Sequence, residues 1–173
     1  MRIGFGNGNS GNSNPDNSGN EPPPDVYEAV IACIEDAGQH EDRNTPGVGK
    51  RKVVVGFEID WRDTKGRRPA LFRKFNLNLW ANADGSKKSD FRSFLDGVIP
   101  SAVSDAFAAG HEVETAAWVG KTVRVTIEHD SRGRAQIKGF LKSKMSSPMT
   151  TERDWSQPFG LWKWLIENRK DRP

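Results

Sequence analysis

The chain has little of what reactive chemistry or a membrane would require. One cysteine, Cys33, stands among 173 residues, so no internal disulfide can form. Its place in an apolar run reads as a small buried hydrophobe. The three histidines, His40, His111 and His129, are scattered, and with a single cysteine they build no zinc site. His111 with Glu112 and Glu114 is the one metal-like cluster, and it reads as a solvated loop. No apolar run approaches the length of a membrane span, and the start Met1-Arg2-Ile3-Gly4-Phe5 lacks the apolar stretch of a secretory leader. A cytoplasmic protein is therefore expected, in the bacterial host if the chain is phage-encoded. Gly47-Val48-Gly49-Lys50-Arg51 misses the first glycine and the Ser/Thr of a phosphate-binding loop. Gly4-Phe5-Gly6-Asn7-Gly8 follows no strand, and no serine or cysteine sits in a nucleophile motif. The expectation is a protein that binds rather than catalyses, with no cofactor and no metal.

What is present is uneven. The apolar share is 35%, below the globular average. Residues 1–24, almost all Gly, Asn, Ser and Pro, lower it, and they read as a disordered tail. Residues 25–145 read as one folded domain, and residues 146–173 as a linker and a short Trp-rich helix. Net charge is only +3, but residues 1–44 carry 2 basic and 8 acidic side chains while residues 45–145 carry 19 and 11. The domain is thus basic, which suits a polyanion. The acidic stretch at residues 35–42 reads as a solvated loop.

Periodicity then supplies the elements. Residues 26–34 alternate as a first strand, with Tyr27, Ala29, Ile31 and Cys33 on one face, and a polar loop is expected over 39–49. A second strand covers 52–60, with Val53, Val55, Phe57 and Ile59 opposite Val54, Gly56, Glu58 and Asp60. A third covers 70–80, with Phe75, Leu77 and Leu79 inward and Phe72, Lys74, Asn76, Asn78 and Trp80 outward. Phe91, Phe94, Leu95 and Val98 then recur at helical spacing behind Ser89, an N-cap residue type. A second short helix follows Pro100, over 101–109, with Gly110 to end it. A fourth strand at 122–129 turns Val123, Val125 and Ile127 inward. A fifth at 134–141 turns Ala135, Ile137 and Leu141 inward and Lys138 and Phe140 outward. The order β-β-β-α-β-β is that of an OB-fold, a five-stranded Greek-key barrel.

Several of these segments together resemble the small OB-fold proteins of phage and prophage replication modules. They are Tyr27-Glu28-Ala29-Val30-Ile31, Asp36-Ala37-Gly38, Lys52-Val53-Val54-Val55-Gly56-Phe57-Glu58-Ile59, Phe75-Asn76-Leu77-Asn78-Leu79, Ser89-Asp90-Phe91-Arg92-Ser93-Phe94-Leu95, Val119-Gly120-Lys121-Thr122-Val123 and Ile127-Glu128-His129. The resemblance covers about 27–144. It implies single-stranded DNA binding in replication or recombination; RNA as the ligand, replication or recombination proteins as partners, and self-association stay open at this point. Bacterial single-strand binding proteins end in an acidic tail. This chain ends Asn168-Arg169-Lys170-Asp171-Arg172-Pro173.

Single-strand binders combine cations for phosphates with flat rings for bases. Here the cations are Lys50, Arg51 and Lys52 after the first loop, Lys65, Arg67, Arg68, Arg73 and Lys74 around the second turn, and Arg132, Arg134 and Lys138 around the last hairpin. The rings are Trp61, Phe72, Trp80 and Phe140. Glu58 and Asp60 oppose them, since they would repel phosphate from the same face. In the last segment Trp155, Phe159, Trp162, Trp164 and Ile166 form an apolar patch. Docking on the barrel is the first expectation for it. The second is an adaptor function in a replication complex, in which this helix holds a partner or another copy.

Overall fold

A computed structural model describes residues 20–42, 44–99, 101–110 and 115–170. The expectations for residues 1–19, for Pro100, for the His111 cluster and for the last three residues lie outside them. Five strands form one antiparallel sheet: β1 (Asp25–Asp42), β2 (Thr45–Ile59), β3 (Ala70–Asn76), β4 (Thr122–His129) and β5 (Ala135–Lys142). Their order is β3-β2-β1-β4-β5. Helices α1 (Asp90–Val98) and α2 (Ser101–Ala108) lie between β3 and β4, and α3 (Gly160–Glu167) ends the chain.

The sheet carries a core on one face because β2 alternates as its sequence does. Val53, Val55, Phe57 and Ile59 point to one side, with Ala29, Ile31, Phe75, Val123, Val125, Ile127 and Ile137. α1 closes this core with Phe91, Phe94 and Leu95. Ser89 caps it by accepting the Arg92 amide at 3.2 Å, as its position before the apolar repeat implies. A short 3₁₀ turn, Thr115–Trp118, adds the buried Trp118, which no periodic pattern marks.

Bulges explain where the alternation misleads. In β1, Ile31 pairs with Phe57 but Cys33 with Gly56, so Ala32 is an extra residue. One inserted residue reverses the faces that follow. Cys33 therefore leaves the main core for the opposite face, and Ile34 packs against the main core instead. In β5, Ile137 pairs with Ile127 and Gly139 with Thr126, which leaves Lys138 over. Phe140 consequently turns inward, its ring 5.1 Å from Phe94, 5.8 Å from Phe75 and 5.9 Å from Phe57. Leu141, expected inside, is 44% exposed.

Two strand lengths also differ from expectation. The polar stretch 39–49 is no loop but the outer half of a long β1–β2 hairpin. Both of its faces are largely solvated, so it lacks the alternation of a half-buried strand. β3 ends at Asn76, and Leu77, expected inward, is 38% exposed. The acidic stretch on β1 is neutralised locally. Arg51 pairs with Asp36, Lys50 with Asp42 at 2.6 Å and Lys170 with Glu41 at 2.9 Å.

The sheet is not closed into a barrel. No ladder joins β3 to β5; side chains span the gap. Arg73 on β3 donates from Nη1 to the Ile137 carbonyl on β5 at 3.1 Å. Glu21 accepts the Ala135 amide at 3.0 Å. These contacts satisfy edge groups that would otherwise stand open. Glu21 belongs to residues 20–24, which were expected to be disordered tail but lie against the sheet. Tyr27 donates its hydroxyl to the Pro23 carbonyl, and a His129 ring nitrogen contacts that of Pro22, each at 2.8 Å.

The opposite face of β1 and β2 is covered by the end of the chain. Cys33, Ala37 and Val54 pack with Trp162 and Leu165, joined by Phe72, Trp155, Phe159, Leu161 and Ile166. Docking, the first expectation for this segment, is what occurs. Burying side chains of this size contributes about 1.5–3 kcal/mol each. Gly56 is required there. A Cβ on it would stand 2.5 Å from the Trp155 ring and 2.8 Å from the Cys33 sulfur. Among the described residues, no helix is long and apolar enough to cross a membrane.

Candidate nucleic-acid interface

Two turns form the basic end of the sheet. Between β2 and β3, Asp63 accepts the amides of Lys65 and Arg67, each at 2.8 Å. Between β4 and β5, Asp130 accepts those of Arg132 and Arg134 at 2.8 and 3.0 Å. Gly66 and Gly133, both at positive φ, complete the two turns. Residues 20 and 21 link them. Asn20 accepts the Thr64 hydroxyl at 3.2 Å, while the next residue, Glu21, holds Ala135. Lys65, Arg67, Arg132 and Arg134 are thereby brought to one end.

Most of the expected cations already have anionic partners. Arg67 pairs with Asp63 at 3.1 Å and Arg134 with Asp130 at 2.9 Å. Arg73 pairs with Asp90 at 3.0 Å. Arg68 lies between Asp60 at 3.8 Å and Glu152 at 3.5 Å and donates to the Thr150 carbonyl at 2.9 Å. Lys50 and Arg51 serve the hairpin, as described. Lys52 donates to Asn76, and burial together with the nearby Lys50 pushes its ammonium below its ordinary range. Asn76 is thus engaged, whereas Asn78 stays exposed. Lys74 lines a cleft with Arg73 and Arg134. Lys65, Arg132 and Lys138 are exposed and have no carboxylate partner among the described residues.

Of the four rings expected to stack on bases, Trp80 is the open one, 53% exposed in the segment after β3. Trp61 packs against the main core. Phe140, half-buried, packs against it as well. Phe72 lies 5.7 Å from Trp155 and 5.3 Å from Phe159, centroid to centroid. Glu58, expected to face phosphate, does not face solvent at all. It is 0% exposed, and its carboxylate accepts the amides of Glu152 and Arg153 and the indole N–H of Trp155, at 2.7–2.8 Å. Its partners lie more than 90 positions away, so nothing local announces this role. Asp60 remains exposed beside Arg68.

The C-terminal candidates divide likewise. Trp162 is buried and donates from Nε1 to Glu35 at 2.6 Å. Trp155, Phe159 and Ile166 pack in the same cluster. Trp164, 37% exposed and stacked near His40, retains the most open surface of the five.

Where β3 and β5 fail to pair, a half-open cleft of about 500 Å³ remains. Leu71, Phe72, Ile137 and Leu161 supply apolar walls; Arg73, Lys74 and Arg134 supply charge. Glu21 puts a carboxylate on the rim. Sequence reading identified the cations and Phe72, but Leu161 and Glu21 arrive from distant segments and carry no local signal.

Reactive groups are few. Burial pushes the Cys33 thiol up to about 12, with Glu35 adding to the effect against a Gly56 backbone hydrogen bond, so it stays protonated. Among the described residues no three metal-ligating side chains form a cluster. Compared with protein-family models, curated proteins and solved structures, the chain finds no match in any of the three.

Proposed function

We propose that this protein binds single-stranded DNA, without catalysing a reaction, in phage or prophage replication or recombination. The observation that carries the reading is the gathering of two basic turns, from β2–β3 and β4–β5, at one end of the sheet through Asn20 and Glu21. The strand order, with helices between β3 and β4, supports an OB-type architecture lacking only its last ladder. The cations neutralise phosphates and release counterions, and exposed rings such as Trp80 stack on bases without reading sequence.

Competition between ligands tests this. A fluorescent oligo-dT should bind, and unlabelled single strands should displace it better than duplex of equal length. Equal displacement by duplex would reduce the protein to a nonspecific polycation binder and refute the proposal.

A further inference from the structure

We infer that the cleft between β3 and β5 receives one nucleotide of the bound strand, its base against Leu71, Phe72 and Leu161 and its phosphate beside Arg73 and Arg134. This rests on the proposed single-strand binding and names where the strand lies.

The outer face of β2 and β3, which OB sheets commonly offer to oligonucleotides, is occupied here. Uncovering it would break three hydrogen bonds to the buried Glu58 carboxylate, detach Trp162 from Glu35 and expose Leu165. A buried carboxylate deprived of its donors is costly. The ligand is therefore better accommodated at the sheet edge, where β3 and β5 already stand apart.

The cleft has the composition this needs. Its roughly 500 Å³ lies within the usual range for small-molecule sites. Apolar walls that include the Phe72 ring suit a base, and the cations on the rim suit a phosphate. Arg73 adds a charge held in place. Its Nη atoms are engaged by the Ile137 carbonyl and Asp90, but its Nε is buried without a hydrogen-bond partner among the described residues. Buried guanidinium N–H groups are normally satisfied. That N–H is sealed from solvent, so a phosphate in the cleft meets the charge of the guanidinium and not its Nε. Asp90, Asp130 and Glu21 reduce the net charge nearby. Glu21 is the one of these that lines the cleft itself, so it opposes an incoming phosphate.

Photocrosslinking of the intact chain to an oligomer containing 5-iododeoxyuridine tests the inference. Crosslinks should map to residues 70–74, 134–137 and Leu161. Glu21→Gln should tighten oligo-dT binding about two- to threefold, and Arg73→Gln should weaken it about tenfold. If Arg73→Gln fails to fold, the wild-type crosslinks still decide. An oligomer that binds but crosslinks only elsewhere, such as at 45–52 or 77–88, overturns the cleft and leaves single-strand binding standing. An oligomer that does not bind overturns both.

Discussion

Glu58 is a fully buried carboxylate on a strand that also carries Lys50, Arg51 and Lys52. On the outer face of a basic strand it looks like a repulsive charge; in the fold it is the anchor of the chain's last segment. Two backbone amides and an indole N–H replace its water. Glu58→Ala would leave all three donors without their acceptor, and a cost of about 3 kcal/mol is expected in urea unfolding. Trp155→Phe, which removes one donor and part of the ring packed on Gly56, should cost about 1–3 kcal/mol. If Glu58→Ala melted like wild type, the anchoring role would be wrong. The cations make the converse case. Arg67, Arg68 and Arg134 are tied into turns or to the C-terminal segment, while Lys65, Arg132 and Lys138 have no carboxylate partner among the described residues. Changing those three together to Ala should reduce the salt slope of single-strand binding by about 2, at ~0.7 per phosphate contact. An unchanged slope would move the phosphate path elsewhere.

Among the elements, β2 and α1 were legible because each buries one regular face. Val53, Val55, Phe57 and Ile59 repeat every second residue, and Phe91, Phe94 and Leu95 follow helical spacing behind Ser89. β1 and β5 were only partly legible, since a bulge shifts phase without changing composition. Ala32 and Lys138 do not look inserted, yet they decide where Cys33 and Phe140 point. Gly56 is a strand position that the C-terminal segment approaches closely. Gly56→Ala should destabilise by about 1–3 kcal/mol through overpacking against Trp155. It should also raise the protease sensitivity of residues 145–159; unaltered cleavage there would contradict the close contact. The turns carry a pH signature. Backbone hydrogen bonds, from Arg67 to Asp63 and from Arg134 to Asp130, are the main cause holding these carboxyls below their usual range. Their contribution is present above the ordinary carboxylate pKa near 3.8 and is lost as pH falls through the lowered folded value. Amide chemical shifts at Gly66 and Gly133 should hold steady from pH 7 to about 5 and move only below about 4. Movement near pH 6 would assign the turns to another group.

For the molecule as a whole, the uneven charge and the strand order were readable from the residues, and the open edge was not. Arg73 bridges the gap between β3 and β5 and Glu21 holds the β5 edge, and these two residues lie far apart in sequence. The covered face depends on Gly56 and Cys33 meeting Trp155, a residue far along the chain from both. Together they leave a basic sheet with one face sealed, a cleft at its edge and an exposed Trp80. The claim that this assembly holds single-stranded DNA is tested most directly by titrating oligo-dT affinity against salt. Binding at low salt with log affinity falling linearly against log salt concentration is expected. An oligo-dT that fails to bind at low salt, or binds with no dependence on salt, would contradict the account.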